Sequence, residues 1–382
     1  MDAAVVTDLT TISSDEWDAL RGTEVPFLSH AFLAGLESTG CVKADLGWLP
    51  HHLVLRDQDG LAAAVPGYLK GHSWGEFVFD WAWADAYERN GLPYYPKLIH
   101  AVPFTPATGP RILLRPGLDM ADVAALTVEA SSAIVAERDL SSAHWLFPCP
   151  DQSELLQARG LLGRTGCQFH WQHDPDYRDF QDFLDALTSR RRKSIRRERR
   201  QARESGVEVV MKDGGAITED EWHTFHALYA RTFHEHGNVP LLTTAFFVHC
   251  GRTLGRQVLM VQGWRDGRMV AAALLFRDDQ ALYGRYWGCF EDVPGLHFEA
   301  CYYQGIEYCI ANGIQRFEPG AQGEHKISRG FLPTATRSYH WIADSRFREA
   351  IDDFLRRETP MVERYIAEMQ GHSPYRLGRG NE

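Results

Sequence analysis

The sequence predicts a protein of the α/β or α+β class with two similarly folded halves. Helix-like and strand-like patterns alternate along most of its 382 residues, which are too many for one ordinary hydrophobic core. Residues 51–70 and 258–277 each contain an apolar strand, a turn with Asp-Gly and an alanine-rich strand. Asp-Gly between apolar strands is a strong hairpin signal, because both residues tolerate positive φ. We therefore expect an internal duplication; the alternative is that two unrelated hairpins share this pattern.

The first half is expected to form a domain of residues 1–180. A predicted helix at 27–39, capped by Ser29, precedes the first hairpin. A longer helix at 119–138 and strands at 143–147 and 167–171 follow the hairpin. This alternation predicts a central sheet flanked by helices.

The second half is expected to form a domain of residues 207–382, after a linker helix at 181–206. Its predicted elements are helices at 219–233 and 243–253, the hairpin at 258–276, a strand at 281–289, a helix at 297–312, strands at 314–318 and 336–343, and a helix at 352–369. Helices, a hairpin and then strand–helix–strand resemble the order of the GNAT acyltransferase fold. The predicted architecture is therefore two tandem GNAT-like domains with mixed central sheets flanked by helices.

The composition is that of a soluble globular protein. Hydrophobic residues make up 44% and charged residues 24% of the chain, and no apolar run approaches the roughly 20 residues that cross a bilayer. The N-terminus lacks the basic start and long apolar core of a signal peptide, so we expect a cytoplasmic protein without a membrane span. A net charge of −11 argues against DNA binding but leaves room for one local basic patch.

The sequence carries no signature of a metal or a permanent cofactor. The seven cysteines are an odd number without a Cys-x-x-Cys pair, which fits neither a disulfide framework nor a zinc ribbon. His234 and His236 stand two residues apart and do not share a helix face. Phosphate-binding and dinucleotide fingerprints are also missing. We expect no bound metal and no resident cofactor.

The most charged segment lies between the two halves. Residues 190–203 carry nine Lys or Arg residues and one acid, Glu198. One interpretation is a solvated linker helix, and the other is a cationic surface for a phosphorylated donor or an RNA. No aromatic residues are interleaved, which weakens the case for binding a single strand by stacking. The candidate donor- or RNA-binding residues are Arg191, Arg192, Lys193, Arg196 and Arg197.

An unusually polar loop follows the predicted strand at 314–318. Its glycines keep the backbone accessible, and strand ends hold side chains rigidly, so the loop predicts a site. The polar side chains of this loop are Gln322, Glu324, His325, Lys326 and Arg329.

Several short motifs together indicate a family. They are Ser-His-x-Phe-Leu at 29–33, Trp-Ala-Asp-Ala-Tyr at 83–87, Tyr-Tyr-Pro-Lys at 94–97, Pro-Phe-Thr-Pro at 103–106, the arginine-rich stretch at 191–199, Gly-Arg-Tyr-Trp-Gly at 284–288 and His-Phe-Glu-Ala-Cys-Tyr-Tyr at 297–303. Over nearly the whole chain they resemble the Fem-like, peptidoglycan-biosynthesis-related N-acyltransferases of the GNAT superfamily. Fem-type transferases end their second domain with a Lys followed shortly by Gly and Phe, and Lys326, Gly330 and Phe331 are similar to that ending.

The resemblance implies an amide-forming acyltransferase. Such an enzyme moves an acyl or aminoacyl group from acyl-CoA or aminoacyl-tRNA to the amine of a small molecule or precursor. The resemblance also supplies four substrate-binding candidates in the first half, which chemistry alone would assign to aromatic packing: Trp83, Asp85, Tyr94 and Lys97.

Acyl transfer to an amine requires a base, a stabilised oxyanion and an accommodated leaving group. Histidines suit the base role at neutral pH, carboxylates can orient an ammonium, and a lysine can counter the oxyanion. The catalytic candidates are Glu299, His325, His297 and Lys326. The substrate-binding candidates in this half are Arg285, Tyr286, Trp287, Glu318, Gln322 and Arg329. The structural alternatives are a helix-start carboxylate, solvated loop charges and core aromatics.

One departure from the superfamily concerns the donor. CoA-dependent members hold the pyrophosphate in a glycine-rich loop at a helix N-terminus. Here residues 289–295 are acidic, lack that glycine spacing and precede Glu299 in the first helical turn. Carboxylates at that end would repel a diphosphate, which disfavours CoA there and favours aminoacyl-tRNA or a donor held elsewhere. The rival interpretation is a non-catalytic protein that binds an RNA or a glycan precursor.

Overall fold

A computed structural model of the chain describes residues 1–321 and 323–376. Gln322, a predicted substrate-binding residue, lies outside the described residues. Internal contacts divide the chain into one unit of residues 1–167 and 335–365 and a second unit of residues 168–334 and 366–382. The boundaries that composition predicts, at residues 180 and 206, stay a prediction. Composition does not predict that residues 335–365 belong to the first unit.

The first unit contains two sheets. Its strands are β1 (Asp2–Val6), β2 (Trp48–Pro50), β3 (His52–Asp57), β4 (Gly60–Val65), β5 (Gly67–Lys70), β6 (Lys97–His100), β7 (Leu113–Leu114) and β8 (Ser142–Leu146). Its helices are α1 (Ser14–Asp18), α2 (His30–Ser38), α3 (Trp81–Arg89), α4 (Met120–Glu137) and α5 (Pro150–Ala158). One sheet has the antiparallel order β1-β3-β4-β7, and in the other β2, β5, β6 and β8 are neighbours in that order, with β6 and β8 parallel. A buried apolar cluster that includes Leu53, Leu98 and Trp145 joins strands of both sheets to α4.

The second unit begins within β9 (Leu162–Gln172). Its further strands are β10 (Glu208–Asp213), β11 (Val258–Arg265), β12 (Arg268–Arg277), β13 (Ala281–Cys289) and β14 (Arg316–Glu318). Its helices are α6 (Phe180–Ala186), α7 (Ser189–Glu204), α8 (Glu219–Glu235), α9 (Thr244–Leu254), α10 (Leu296–Phe298) and α11 (Gln304–Asn312), with a π-helical turn over Glu299–Tyr303 between the last two. Strands β10 to β13 are antiparallel neighbours, β13 and β14 are parallel, and β14 pairs with the end of β9. The chain then passes through β15 (Leu332–Ile342), which pairs with β8, and α12 (Ser345–Gln370).

Both predicted hairpins are present, as β3–β4 and β11–β12. Gly60 has φ +101°, and Asp266 and Gly267 have φ +49° and +73°, the left-handed conformations that these turns require. Ser29 caps α2 as predicted, because its side chain accepts a hydrogen bond of 3.3 Å from the Phe32 amide. No helix among the described residues combines the length and the apolar character needed to cross a membrane.

Candidate active site

The candidate active site of the second unit opens where β13 and β14 stop pairing. Their parallel register runs from Ala281–Arg316 to Tyr283–Glu318, where β14 ends while β13 continues. A β-bulge follows at once, since Leu274 lies opposite Tyr286 and Leu275 opposite Gly284. The extra residue in this bulge is Arg285. Bulges occur next to active sites because they redirect side chains, and this one follows the last β13–β14 pair, Tyr283–Glu318.

The two predicted aromatic residues of β13, Tyr286 and Trp287, lie in different environments. The Trp287 ring lies edge-on to His297, with ring centroids 5.3 Å apart. Tyr286 instead packs against Tyr229 and Phe247, at 5.1 and 6.2 Å. Trp287 therefore faces the helix that carries the histidine, whereas Tyr286 belongs to the aromatic packing against α8 and α9.

The π-helical turn re-aims the side chains of the predicted site helix. Helix-like residues 296–312 begin as predicted, but the wider turn at Glu299–Tyr303 interrupts the regular pattern. Such turns are rare and occur frequently at functional sites. Glu299 is buried and accepts hydrogen bonds from Arg199 Nε at 3.0 Å, Arg199 Nη2 at 2.8 Å and Gln304 Nε2 at 2.8 Å. These partners occupy both carboxylate oxygens.

The polar segment after β14, predicted as a loop, contains a 3₁₀-helix over Glu324–Arg329. It turns Lys326 inward, so that this side chain is 3% exposed. Lys326 Nζ donates to the backbone carbonyls of Pro319, Gly320 and Ala321 at 3.4, 2.8 and 3.3 Å. No carboxylate of the described residues pairs with it, and burial lowers the pKa of Lys326 to about 8.

The two predicted histidines differ in exposure and in basicity. His325 is exposed, and its Nε2 lies 2.9 Å from the Tyr302 hydroxyl. Burial, with Arg329 and Lys326 nearby, lowers the pKa of His325. His297 is half-buried beside Trp287 and Tyr302, and burial lowers its pKa to about 4. Both shifts favour the neutral imidazole at pH 7.

Arg329 is bound in place by aromatic and acidic neighbours. Its guanidinium lies 3.4 Å from the centre of the Phe298 ring and donates to both carboxylate oxygens of Glu198 at 3.2 and 3.1 Å. The Tyr303 hydroxyl donates to the same carboxylate. These contacts join α7 to the 3₁₀-helix and to the π-helical turn.

Glu318 lies at the end of β14, where the strands separate. Its Oε1 accepts from Arg316 Nε at 2.7 Å, and its Oε2 lies 4.0 Å from His170 Nε2. That Oε2 is buried and has no hydrogen-bond donor among residues 1–321 and 323–376. An unoccupied buried acceptor is costly, so this oxygen is suited to hold a donor group of a substrate.

One face of helix α7 contacts the candidate active site, and another face is exposed to solvent. Arg192 pairs with Asp185 at 2.5 Å, Arg196 donates to Gln181 at 2.9 Å, and Arg199 reaches Glu299 and Glu307. Lys193 and Arg197 are exposed and form no ion pair within the described part of the chain; Arg191 is half-buried. The cationic surface that is free to bind a ligand therefore contains fewer residues than the number of arginines in this segment indicates.

The first-half candidates lie in the first unit. Lys97 is fully buried and pairs with Glu76 at 2.8 Å and with Asp80. Tyr94 donates to Asp80 at 2.6 Å. The other two candidates do not join this cluster: Trp83 packs edge-on to His340 at 4.8 Å, and Asp85 forms an exposed i,i+4 pair with Arg89 at 2.8 Å.

Sequence reasoning missed four residues that the structure brings into the second-unit site. Glu198 and Arg199 bind the two sides of the site, and Tyr302 and Tyr303 contact His325 and Glu198. One signal was available, because Glu198 is the single acid in the cationic stretch 190–203. A lone acid among cations is a candidate for a specific buried partner.

The N-terminus of α10 is covered by α7. A Cβ atom at Gly295 would lie 2.4 Å from the Glu198 carbonyl oxygen and 3.4 Å from the Ala202 nitrogen. Gly295 itself has φ +83°. Main-chain atoms of α7 therefore pack against this helix end.

Comparison with solved structures shows similar folds at low sequence identity. FemX is 11% identical with a TM-score of 0.54, and the match covers 92% of this chain and 100% of that chain. The C-terminal domain of a putative lysylphosphatidylglycerol synthetase from Agrobacterium fabrum is 10% identical with a TM-score of 0.53, covering 91% and 96%. A tandem GNAT protein from the clavulanic acid biosynthesis pathway is 10% identical with a TM-score of 0.45, covering 90% and 98%.

The fold similarity to FemX confirms the predicted mixed α/β architecture of two tandem GNAT-like domains. No curated protein matches the chain in sequence. A family model described as peptidoglycan biosynthesis/recognition matches residues 8–377, which is nearly the whole chain. The chain therefore belongs to the FemAB-like family.

Proposed function

We propose that the second unit transfers an aminoacyl group from aminoacyl-tRNA to the amine of a peptidoglycan precursor. FemAB-like membership and the GNAT-like fold support an acyl- or aminoacyltransferase in general. The donor is proposed on one observation: α7 binds the site through Glu198 and Arg199 while Lys193 and Arg197 stay open to solvent. A cationic surface attached to the site suits a donor with a long phosphate backbone.

The covered end of α10 supports the same choice of donor. CoA binding by the superfamily pattern requires free backbone amides at this helix N-terminus. Here the Glu198 carbonyl oxygen packs against Gly295, and the acidic stretch 289–295 adds charge repulsion. Acyl-CoA stays the alternative donor if it binds elsewhere.

His325 is the base that we propose for the acceptor amine. It is the exposed imidazole, and the Tyr302 hydroxyl at 2.9 Å fixes its ring orientation. A lowered pKa keeps it neutral at pH 7, ready to take a proton from the bound ammonium. Glu299 holds α7 in place and does not supply the base, because Arg199 and Gln304 occupy its carboxylate.

Lys326 stabilises the reaction centre in this proposal. The amine nitrogen attacks the ester carbonyl of the donor, the C–N bond forms, and the C–O bond to the ribose breaks. The oxyanion of the intermediate is countered by the Lys326 ammonium, which is charged below its pKa of about 8. The proton taken from the amine then passes to the departing ribose oxygen. Glu318 Oε2 is placed to accept a hydrogen bond from the acceptor.

A non-catalytic binding protein is the second candidate. The observation that favours it is that three backbone carbonyls already hold Lys326 Nζ. If that arrangement persists with ligand, Lys326 is a structural residue and the unit binds its precursor without chemistry.

The donor is tested by titrating the full chain with uncharged tRNA and, separately, with CoA. We expect tRNA to bind with an affinity that falls steeply with salt. Replacing Lys193 and Arg197 by Gln removes two exposed cations proposed to contact phosphates, and is expected to lower the affinity about tenfold and to flatten the salt slope. The matched control is the Arg356→Gln/Arg357→Gln pair, whose side chains are each 72% exposed on α12. Tight CoA binding that is indifferent to the Lys193/Arg197 change would overturn the tRNA proposal.

A further inference from the structure

The segment from the end of β5 to the first residue of α3 exposes apolar side chains and buries charged ones. Four aromatic side chains are exposed, Trp74 by 61%, Phe79 by 54%, Trp81 by 38% and Phe77 by 36%. We call residues 74–81 the aromatic loop. Its acids are buried instead, with Glu76 4% and Asp80 2% exposed. A solvated loop ordinarily shows the opposite distribution.

Lys97 holds the two acids of the aromatic loop in the interior. Its ammonium is fully buried and donates to Glu76 at 2.8 Å, to Asp80 and to Ser73 at 2.9 Å. Burying two acids and a lysine carries a large desolvation cost, which a loop with no surface role has no reason to bear. Every exposed residue of the stretch 71–82 is in consequence uncharged.

We propose that the aromatic loop docks the protein onto a lipid bilayer by inserting its rings into the interfacial region. Trp74 and Trp81 contact each other, with ring centroids 5.0 Å apart, and so form one apolar tip. Trp and Phe on an uncharged surface suit the boundary between headgroups and acyl chains. This proposal does not depend on the transferase reaction.

The size of the exposed aromatic area favours a bilayer over a second protein as the partner that covers the aromatic loop. With about 200–250 Å² for each aromatic side chain, the exposed fractions amount to on the order of 400 Å². A stable protein interface needs roughly 800 Å² from each partner. The aromatic loop alone falls well short of that area, whereas shallow insertion into a bilayer needs only the rings themselves.

Charge determines which lipids the aromatic loop selects. The chain carries a net charge of −11, which opposes attraction to anionic membranes. The exposed tip has no cation of its own in residues 71–82. Binding is therefore expected on neutral phosphatidylcholine and is expected to be insensitive to salt.

The test is co-sedimentation of the full chain with phosphatidylcholine vesicles at low and high salt. Wild type is expected to bind in both, and Trp74→Ser/Phe79→Ser is expected to lose at least about tenfold in partitioning. Met361→Ser, which removes an equally exposed apolar side chain (66%) from α12, is the matched control and is expected to bind like wild type. Brominated phosphatidylcholine is expected to quench tryptophan fluorescence less in Trp74→Phe/Trp81→Phe than in wild type.

Three results would overturn the proposal. The first is no sedimentation of wild type with phosphatidylcholine. The second is binding only to anionic vesicles that high salt abolishes. The third is a concentration-dependent self-association that the aromatic substitutions remove while lipid binding is absent, which would identify a second copy of the chain as the occupant. Thermal unfolding of each variant verifies that a loss of binding is not a loss of folding.

Discussion

Arg199 and Glu299, one hundred residues apart, form a two-point ion pair with N–O distances of 3.0 and 2.8 Å. Their side chains are 16% and 6% exposed, so water screens the pair weakly. The preceding residue of α7, Glu198, holds Arg329 in the 3₁₀-helix at 3.1 and 3.2 Å. Two consecutive residues of one helix thus bind both sides of the candidate active site.

Glu299→Gln tests whether Glu299 anchors α7 or acts as the base. The amide keeps the size but loses the charge opposite Arg199, so we expect the free energy of unfolding to fall by about 1–3 kcal/mol in urea denaturation. The control is Arg200→Gln, which breaks a pair at 4.0 Å whose side chains are 63% and 71% exposed. That change is expected to cost less than about 0.5 kcal/mol. Unchanged stability together with abolished turnover would make Glu299 the base and refute its anchoring role.

Gly295→Ala tests the contact that covers the start of α10. The new Cβ would meet the Glu198 carbonyl oxygen at 2.4 Å and adopt φ +83°, so we expect a loss of stability above about 2 kcal/mol. Gly313→Ala is the matched control, because its φ is +66° and no atom lies within 4 Å of the added Cβ. It is expected to cost only the backbone strain, about 1 kcal/mol. Equal losses for the two variants would contradict the close packing of α7 on this helix end.

We expect the pH profile of turnover to be bell-shaped. The base must be neutral, so the rate rises as pH passes upward through the lowered pKa of His325, below its ordinary value of about 6.5. The oxyanion partner must be charged, so the rate falls as pH passes upward through the Lys326 pKa of about 8. Lys326→Arg keeps a charge to much higher pH and is expected to move only the alkaline limb, whereas His325→Gln removes the acid limb. An alkaline limb that stays near pH 8 in Lys326→Arg would exclude Lys326 from the reaction.

Two buried groups of the first unit, Glu76 and Lys70, are expected to change stability with pH in opposite directions. Burial raises the pKa of Glu76 from 4.5 to about 7, so the folded state binds the extra proton and stability falls as pH rises between these values. Burial lowers the pKa of Lys70 from 10.5 to about 7, so the unfolded state binds the extra proton and stability rises above pH 7. Glu76→Gln is expected to remove the fall, about 3 kcal/mol between pH 4.5 and 7, in urea denaturation. Lys70→Met is expected to remove the alkaline rise and leave the acid side as in wild type. A difference in stability between wild type and either variant that does not change with pH would contradict the shift of the replaced residue.

Local chemistry predicts much of the fold. The Asp-Gly turns, the Ser29 cap and the alternation of apolar residues are encoded within a few neighbouring positions, and the hairpins and α2 appear where these signals lie. The return of residues 335–365 to the first unit is different, because β15 finds β8 some two hundred positions earlier in the chain. No local period carries that pairing.

The site is predictable in composition but not in arrangement. The polar segment does contain a buried lysine and an oriented histidine, Lys326 and His325. Charge counts could not separate the arginines that face solvent from Arg199, which binds Glu299 across one hundred residues. The π-helical turn at Glu299–Tyr303 has no characteristic sequence period. The buried positions of Tyr302 and Tyr303 could therefore not be predicted from the sequence.

Single-turnover transfer measured by mass spectrometry tests the central proposal most directly. Purified full chain is mixed with a precursor peptide that bears a free amine and with either aminoacyl-tRNA or a panel of acyl-CoAs, and the amide product is followed by its mass. We predict product from aminoacyl-tRNA that falls at least about a hundredfold in Lys326→Met and His325→Ala, while Arg356→Gln/Arg357→Gln leaves it unchanged. Product from acyl-CoA alone, or from aminoacyl-tRNA at full rate in both variants, would contradict the proposed donor or the proposed site.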